Sequence, residues 1–591
     1  MTDPLTAGAS GRPAPDDPAV PAAKPVRKTR AKKTLEGVAE TDPIARVLVS
    51  VPLPHLDRPF DYLVPASMEH TAQPGRLVRV PFAGADVEGY VLERAASSEH
   101  SGRLARLRRV VSGLAVLSPQ VLQLCRAVAD AYAGTLADVV RLAVPGRHAG
   151  AELALLAADP VSPGQLEPPL VRGGEQGGDL AGWERHTAGP AFLAHVASGG
   201  SPRAIASFAP GSDPFELLAV AARAALASGR SALLVVPDHR DLDRLVAALT
   251  RTLPAGSVAR LEAEDGPAAR YTAFLQALTG RARVVAGTRA AVFAPLPDLG
   301  LLVVLDDGDD SHAEQRAPYP HVREVAVLRA EQSGAAALIA GRSRSAEGQL
   351  LLESGWAREV VAPRASVRAC SPRIAVAGTV GPDAQDPLAA AARLPSDGWR
   401  VLREAVRRGP VLVQVPRVGY VPTLACQTCR EPARCTVCHG PLAVGGAGER
   451  TACRWCARPA TDWTCPTCGD GRLRAVVTGA QRTAEELGRA FPGVDVRTSG
   501  GSRVLDTVPA VPSLVIATPG AEPVVEGGYT AALLLDGWAL LGRADLRAQE
   551  EALRRWTSAA SLVRPASAGG SVVLVSDPQV PAVQALVRWD P

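Results

Sequence analysis

Leu301-Leu-Val-Val-Leu305 is an uninterrupted apolar run, and it indicates the fold class of the chain. A run of this kind is typical of a strand that is buried on both faces of a parallel sheet. Ala232-Leu-Leu-Val-Val236 and Val284-Val285 are similar runs, and the stretches between the three are helical in pattern. Together they predict an α/β lobe over residues 201–365.

A second set of apolar runs lies nearer the C-terminus and predicts a second α/β lobe over residues 366–591. The runs are Val411-Leu-Val-Gln-Val415, Leu514-Val-Ile516, Ala532-Leu-Leu-Leu535 and Val572-Val-Leu-Val575. A cysteine-dense segment, residues 424–470, interrupts this lobe. The fold class that follows is a multidomain α/β protein with a small insert in its second lobe.

The part of the chain before the first lobe has a different pattern. Residues 44–112 contain β-rich segments that Pro and Gly punctuate, which predicts a small β-rich domain. Residues 113–150 change to helical spacing, with Ser118 as the expected N-cap. Residues 1–43 are rich in Pro, Ala and Asp and predict a disordered tail, while the Gly- and Pro-rich residues 151–200 predict a linker.

Lysine is almost absent from this chain. Of 64 basic residues only four are lysines, and all of them lie between Lys24 and Lys33. A phosphate-binding loop of the GxxxxGK[ST] type and a Schiff-base lysine are therefore excluded from the folded part. The basic run in the tail is either solubilising or a non-specific DNA tether, and a net charge of +4 neither demands nor forbids nucleic acid.

No apolar run approaches the roughly 18 residues of a membrane span.

Eight of the ten cysteines form four CxxC pairs in the insert. They are Cys426, Cys429, Cys435, Cys438, Cys453, Cys456, Cys465 and Cys468. Four such pairs supply two Cys₄ zinc sites, which are closed and hence structural rather than catalytic. A disulfide framework and iron–sulfur clusters are the alternatives. The spacing alone leaves open whether the CxxC units pair sequentially or in a nested way.

The chain resembles the PriA family of bacterial replication restart proteins from about residue 44 to 590, with motifs in the same order. The motifs are Arg58-Pro-Phe-Asp-Tyr-Leu63, Gly75-Arg-Leu-Val-Arg-Val-Pro-Phe82, Gly287-Thr-Arg-Ala-Ala-Val-Phe-Ala-Pro295, Asp306-Asp-Gly-Asp-Asp-Ser-His-Ala-Glu-Gln315, Arg417-Val-Gly-Tyr-Val-Pro422 and Gly542-Arg-Ala-Asp-Leu-Arg-Ala548. The cysteine spacing is similar to the zinc insert of that family. The resemblance implies a 3′-end DNA-binding domain, a winged helix over residues 113–150 and two RecA-like superfamily 2 helicase lobes. The resemblance also leads us to expect a C-terminal domain after the second lobe, and we expect truncation or divergence to explain why its pattern does not follow residue 591.

The resemblance also implies a set of site residues. Those that would hold the 3′ end of a nascent strand are Phe60, Asp61, Gly84 and Arg108. An aromatic ring can stack the terminal base, a carboxylate can accept from a 3′-hydroxyl and an arginine can hold a phosphate, whereas Phe60 would otherwise be a core aromatic. In the insert the resemblance implies nested pairing. One zinc set is then Cys426, Cys429, Cys465 and Cys468, and the other is Cys435, Cys438, Cys453 and Cys456.

The chain departs from the family in the nucleotide site. The phosphate loop aligns with residues 208–216, where Pro214 and Phe215 stand in place of the lysine and the threonine of the family. The remnants of the site are Gly211, Ser212, Asp306 and Asp307. The transition-state arginines of the family align with Leu562 and Pro565. These losses predict ATP hydrolysis at background and no role for ATP or Mg²⁺ as cofactors, so the protein is expected not to be an enzyme.

Three functions agree with these features. The first is a replication restart protein that binds abandoned or stalled forks and promotes primosome assembly and reloading of the replicative helicase without ATP hydrolysis. Its partners would be forked and single-stranded DNA, primosome proteins, the replicative helicase or its loader, and single-stranded DNA-binding protein, in the cytoplasm at the nucleoid and not at a membrane. The second is an active ATP-dependent 3′–5′ DNA helicase with an atypical nucleotide site. The third is a zinc-dependent interaction protein that does not bind DNA.

Overall fold

The computed structural model describes most of the chain in eight stretches. They are residues 37–158, 182–379, 393–416, 424–429, 431–444, 450–475, 480–543 and 545–590. The basic run of the tail, the middle of the expected linker and the Arg417–Pro422 motif therefore lie outside the described residues. None of the helices in the described stretches is long and apolar enough to cross a membrane.

Five antiparallel strands form an N-terminal sheet with the order β2-β1-β4-β3-β5. The strands are β1 Ile44–Val49, β2 Phe60–Leu63, β3 Arg76–Phe82, β4 Ala85–Ala95 and β5 Arg109–Ala115. Backbone hydrogen bonds from Leu63 N to Ala105 O (2.8 Å) and from Leu107 N to Leu63 O (3.0 Å) tie β2 to the segment that leads into β5. The sheet thus closes on itself around a core that includes Val47 and Val78, and its outer strands are not left as open edges.

Three helices follow the sheet. They are α1 Pro119–Ala131, α2 Leu136–Ala143 and α3 Ala149–Ala157. Ser118 caps α1 as predicted, because its hydroxyl accepts a hydrogen bond from the backbone N–H of Val121 at 3.3 Å. The Glu152 side chain on α3 is buried, accepts from Gly113 N at 2.5 Å and pairs with Arg147 at 2.7 Å. The hydrogen bond from Gly113 of β5 to Glu152 therefore connects helix α3 to the last strand of the sheet.

The stretch expected to be a linker, residues 151–200, is helical at both of its described ends. Helix α3 extends to Ala157, and α4 covers Gly189–Ala197. Trp183 is fully buried, stacks on Phe192 with 5.8 Å between the ring centroids and donates from Nε1 to Leu217 O at 2.9 Å. This aromatic packing against the first lobe orders a segment whose Gly- and Pro-rich composition indicates a loop.

The first lobe is a seven-stranded parallel sheet with the order β12-β6-β11-β10-β7-β9-β8. Its strands are β6 Arg203–Ser207, β7 Ser231–Val235, β8 Val258–Leu261, β9 Val284–Gly287, β10 Leu299–Leu305, β11 Ala336–Gly341 and β12 Arg358–Val361. Its helices are α5 Pro214–Ala227, α6 His239–Thr252, α7 Gly266–Leu278, α8 Val322–Ser333 and α9 Ala346–Glu353. The three predicted strands coincide with β7, β9 and β10, and every residue of β10 is buried.

The second lobe contains a six-stranded parallel sheet with the order β13-β24-β23-β14-β21-β19. The strands of this part are β13 Arg373–Val376, β14 Pro410–Gln414, β15 Leu424–Cys426, β16 Leu442–Val444, β17 Thr451–Cys453, β18 Leu473–Ala475, β19 Asp495–Ser499, β20 Thr507–Val508, β21 Ser513–Ala517, β22 Val524–Val525, β23 Ala531–Leu534 and β24 Ser571–Leu574. The helices are α10 Arg364–Cys370, α11 Ser396–Ala405, α12 Ala480–Ala490, α13 Gly537–Leu541, α14 Ala548–Ala560 and α15 Pro581–Arg588. The four predicted strands coincide with β14, β21, β23 and β24, and the insert adds the two small pairs β15–β18 and β16–β17.

Candidate functional site

The loop between β6 and α5 has the backbone order of a phosphate-binding loop. The strand ends at Ser207, Gly211 takes a φ of +76° in the left-handed region that favours glycine, and α5 begins at Pro214. Ser212, the other predicted remnant in this loop, is buried. We call the loop 208–213, together with the N-terminus of α5, the phosphate cradle, because the strand–turn–helix order of such a site is retained.

Two N–H groups of the phosphate cradle already have an anionic partner. The carboxylate of Asp213 accepts hydrogen bonds from Phe215 N at 2.8 Å and from Glu216 N at 3.4 Å, and Pro214 has no N–H to offer. The N-terminus of a helix attracts negative charge through its free N–H groups and its dipole. Here a side chain of the protein takes that position, and its charge repels a phosphate.

Arg342, which follows β11, places a cation in the same cradle. Its guanidinium donates to Ala209 O at 3.2 Å and to Ser212 O at 2.8 Å. Burial lowers the pKa of Arg342 to about 10, so the side chain is still charged at neutral pH. The cradle therefore contains one cation, Arg342, and one anion, Asp213, that both belong to the chain. Arg342 reaches the loop from β11, and Pro214 stands at the position of the family's loop lysine.

Asp306, which directly follows β10, is bound by an arginine of the second lobe. Its carboxylate accepts a hydrogen bond from Arg554 on α14. The same guanidinium pairs with Asp309 at 3.0 Å and with Glu551 at 2.8 Å, and the Arg554 side chain is only 5% exposed. Arg555 pairs with Asp309 at 3.1 Å and with Glu551 at 2.8 Å. We call these five residues the interlobe charge cluster. Asp306 and Asp309 belong to the first lobe, and the second lobe supplies Glu551, Arg554 and Arg555.

The interlobe charge cluster contains three carboxylates and two guanidiniums, so one negative charge is in excess. Burial raises the pKa of Asp306, and the neighbouring Arg554 only partly opposes that shift. Burial also acts against ionisation of Asp309, but Arg554 and Arg555 outweigh it and lower the pKa of this carboxyl. A Mg²⁺ ion at Asp306 would have to displace a buried guanidinium that several carboxylates hold.

Asp307, the fourth predicted remnant, is engaged inside the first lobe. Its carboxylate pairs with Arg323 at 2.9 Å and accepts from the Ser345 hydroxyl at 2.5 Å. Both side chains of the ion pair are nearly inaccessible, with 5% of Arg323 and 6% of Asp307 exposed. This carboxylate is therefore held by its own lobe and is not free to orient an attacking water.

A second arginine joins the lobes at another point. Arg240 on α6 donates to Leu505 O and Gly520 O, both at 3.0 Å, and pairs with Asp506 at 3.3 Å. Arg240 and Arg554 both line a cavity of about 840 Å³ between the lobes. The cleft in which a nucleotide would bind is thus spanned by two arginines, one from each lobe.

The predicted 3′-end residues lie around the hairpin of β3 and β4. Ala83 and Gly84 form its two-residue turn, with φ values of +47° and +84°. The Phe60 ring lies 5.1 Å from the Phe82 ring between centroids, in an edge-to-face arrangement, and the Arg58 guanidinium lies 4.9 Å above the Phe60 centroid. Phe60 is therefore half-buried, and an arginine that the sequence analysis did not single out covers one face of its ring.

The two charged residues of this predicted pocket have partners of their own. Asp61 accepts a hydrogen bond from the Ser98 hydroxyl and lies 3.8 Å from Arg46 Nε. Arg108 is 57% exposed and pairs with Asp86 of β4 at 3.1 Å. Three of the four predicted residues therefore lie in or contact the same hairpin, whereas the aspartate is held on the opposite face of β2, since successive strand residues point to opposite sides.

Within the described residues, the structure brings the eight insert cysteines together in two groups of four. The first cysteine group is Cys426, Cys429, Cys465 and Cys468, and the second cysteine group is Cys435, Cys438, Cys453 and Cys456. Sulfur–sulfur distances are 3.4 Å for both Cys426–Cys468 and Cys429–Cys465, 3.3 Å for Cys438–Cys453 and 3.9 Å for Cys435–Cys456. A tetrahedral zinc with Zn–S bonds of about 2.3 Å separates its sulfurs by about 3.8 Å, so both donor sets fit zinc.

The strand pairs of the insert explain why the grouping is nested. In the outer pair β15–β18, Cys426 lies opposite Leu473, which brings the first and last CxxC units together. In the inner hairpin β16–β17, Leu442 lies opposite Cys453, which brings the two middle units together. A hairpin enclosed within another pair of strands can only place outer with outer and inner with inner.

Comparison with known proteins identifies a matching family model and close sequence relatives. The family model, described as the 3′ DNA-binding domain of PriA, matches residues 46–145, which include the N-terminal sheet apart from the first two residues of β1, and also α1 and α2. The probable replication restart protein PriA of Mycobacterium tuberculosis is 53% identical over 542 residues, covering 91% of this chain and 81% of the relative. The corresponding protein of Mycobacterium leprae is 52% identical over 91% of this chain and 82% of the relative. Among solved structures, the DExH-box NTPase HrpB of E. coli has 14% identity and a TM-score of 0.35, over 66% of this chain and 41% of that chain.

Pairwise replacement of cysteines tests the nested grouping. The double variant Cys426→Ser with Cys468→Ser should retain one zinc, because both residues belong to the first cysteine group. The matched double variant Cys426→Ser with Cys438→Ser should retain none, because it damages both groups. Native mass spectrometry of the whole chain counts the ions, with two expected for the unmodified protein. Sequential pairing predicts the reverse result for the two variants.

Replacement of Arg554 tests the interlobe charge cluster. Arg554→Ala leaves three carboxylates facing Arg555 alone, and removal of one partner from a buried ion-pair network costs about 3–5 kcal/mol. We expect that loss in the free energy of unfolding, with faster hydrogen exchange in residues 306–312 and in α14. The control is Arg497→Ala, which removes an exposed pair with Asp495 and should cost no more than about 1 kcal/mol. Equal stability and exchange in the two variants would contradict the interlobe role.

Proposed function

Since this chain belongs to the PriA family of replication restart proteins and carries the 3′ DNA-binding domain of that family, we propose that it binds abandoned or stalled replication forks and promotes primosome assembly without ATP hydrolysis. Its partners would be forked and single-stranded DNA, primosome proteins, the replicative helicase or its loader, and single-stranded DNA-binding protein. It would act on the chromosome, in the cytoplasm at the nucleoid.

The observation that carries the absence of ATP hydrolysis is the occupied phosphate cradle. Asp213 accepts from the helix N–H groups that a phosphate would need, and Arg342 donates to the carbonyl groups of the loop. Asp306, a predicted remnant of the nucleotide site, is bound by Arg554. Phosphoryl transfer depends on a lysine, a metal ion and an arginine finger placed around the γ-phosphate, and the groups in this cleft neutralise one another instead.

Fork binding would rest on the N-terminal unit. The half-buried Phe60 ring and the Arg58 guanidinium above it could stack a terminal base, and the exposed Arg108 could hold a phosphate in exchange for Asp86. The three helices α1–α3 would contact duplex DNA in the manner of a winged helix. Two zinc ions in the insert would order the 424–470 segment as a platform for DNA or for a primosome protein.

The cavity between the lobes is the observation that favours a second candidate function, an active ATP-dependent 3′–5′ helicase. Its volume of about 840 Å³ falls in the range of small-molecule and cofactor sites, and Gly211 and Asp306 line it. A nucleotide that entered it would have to displace Arg342 from the loop carbonyl groups and Arg554 from Asp306.

An ATPase measurement separates the two candidates. We expect phosphate release by the whole chain to stay at background with or without forked DNA, because Pro214 stands at the position of the loop lysine, Leu562 and Pro565 align with the transition-state arginines of the family, and Asp306 is engaged. The comparison variants are Asp306→Asn and, as a control on an exposed neighbour, Asp310→Asn. DNA-stimulated turnover that Asp306→Asn abolishes and Asp310→Asn keeps would establish the helicase instead.

Fluorescence anisotropy with forks that end in a 3′-hydroxyl or a 3′-phosphate tests the DNA-binding part of the proposal. The whole chain should prefer the 3′-hydroxyl fork. Phe60→Ala should weaken that binding roughly tenfold, since a stacked base contributes about 1–3 kcal/mol. The control is Leu53→Ala, an exposed residue of the same domain. Equal and negligible binding of both forks by the unmodified chain would favour a zinc-dependent protein that does not bind DNA.

A further inference from the structure

The second cysteine group is built from two equivalent turns. Cys435 N donates to Gly440 O and Cys453 N donates to Arg458 O, both at 2.8 Å. His439 and Ala457 close the turns in the same left-handed conformation, with φ values of +56° and +57°. The two CxxC units are thus related by an approximate twofold repeat, and the third residue of each unit occupies an equivalent place.

Those two equivalent places carry exposed apolar side chains. Val437 is 57% exposed and Trp455 is 58% exposed, and the backbone N–H of each donates to the first sulfur of its unit at 3.4 Å. The corresponding positions of the first cysteine group are the polar residues Thr428 and Thr467. Exposed apolar character at the CxxC turns is therefore a property of the second group among the described residues.

The indole of Trp455 lies against the backbone and leaves the rest of its surface open. A Cβ atom placed on Gly440 would lie 2.8 Å from both Cγ and Cδ2 of the indole, so the ring rests on that glycine. Trp463, the other tryptophan of the insert, is buried and donates from Nε1 to Arg434 O at 3.0 Å. Trp463 stabilises the module, whereas Trp455 is supported on one side and available on the other.

The chain that forms the second cysteine group is rich in arginine. Its basic residues are Arg434, Arg450, Arg454 and Arg458, all of them exposed. The described residues between 432 and 461 include no Asp or Glu. A zinc ion with four thiolates carries a charge of about −2, so the four arginines give the described part of residues 432–461 a net positive charge, and the exposed Glu431 and Asp462 border this stretch on either side.

We propose that the exposed Val437 and Trp455, together with the four exposed arginines of the same stretch, bind single-stranded DNA, with Trp455 stacking a base and the arginines holding phosphates. Single-strand binding sites combine aromatic platforms with a positive surface in this way. A protein partner is disfavoured, because one ring and one valine offer little of the roughly 800 Å² that each side of a stable protein interface buries. The proposal rests on the fork-binding function proposed above, and it assigns the single-stranded arm of the fork to these residues.

Two forks with the same 3′-hydroxyl end at the branch test this assignment, one with a single-stranded arm and one with every arm duplex. The probe is fluorescence anisotropy of each labelled fork with the whole, zinc-loaded chain. Trp455→Ala should weaken binding of the fork with the single-stranded arm about tenfold and leave the duplex fork unchanged. Trp455→Phe should restore most of the affinity and Trp455→Leu should not, because stacking needs an aromatic face.

The control is Leu350→Ala, an equally exposed apolar residue on the first lobe, which should change neither affinity. Native mass spectrometry should count two zinc ions for every variant, which excludes unfolding of the insert as the cause of a loss. Unchanged binding by Trp455→Ala, an equal loss on both forks, or full binding by Trp455→Leu would each overturn the assignment and leave the proposed function standing. Failure of the unmodified chain to bind either fork would overturn the proposed function together with this assignment.

Discussion

The guanidinium of Arg554 connects the two lobes at the place where a nucleotide would otherwise connect them. It comes from α14 of the second lobe and binds Asp306 and Asp309, which follow β10 of the first lobe. A buried guanidinium without a carboxylate partner is an uncompensated buried charge, and so is a buried carboxylate without a cation. Separating the two groups in the interior would therefore cost a large free energy. The arrangement of the lobes depends on this mutual requirement, and Arg240 adds a second link at the other wall of the same cavity.

The phosphate cradle follows the same physical rule on a smaller scale. A loop and a helix N-terminus with the backbone order of a phosphate site present N–H groups and carbonyl groups that need partners when no phosphate binds. Asp213 accepts from two of the N–H groups, and Arg342 donates to two of the carbonyl groups. In the proposed function the two linked lobes would support the N-terminal unit and the zinc insert, and fork binding would need no nucleotide-driven change of their arrangement.

Much of the fold could be predicted because its strands are continuous apolar runs that need no knowledge of their neighbours. The seven strands predicted for the two lobes all lie where the structure has them, as Leu301–Leu305 within β10 and Ala232–Val236 on β7 illustrate. The stretch 151–200 could not be predicted in this way, because the order of its described ends comes from Trp183 packing on Phe192 and on the first lobe. At the hairpin, Arg58 could have been suspected beside an aromatic residue, whereas the pairing of Arg108 with Asp86 required the register of β4.

The sequence by itself determined which chemical groups are present: eight thiolates in four CxxC units, no lysine after Lys33, and Pro214 and Phe215 in the phosphate loop. The spacing left open the pairing of the CxxC units, for which the family resemblance implied the nested arrangement, and the sequence left open the fate of the remaining nucleotide-site residues. The tertiary structure decided both, because nested strand pairs bring outer cysteines to outer and inner to inner, and because Asp306 meets an arginine 248 positions away in the chain. A local sequence pattern indicates which chemical groups a segment carries. The partner that neutralises a buried charge depends on the packing of elements that are distant in sequence.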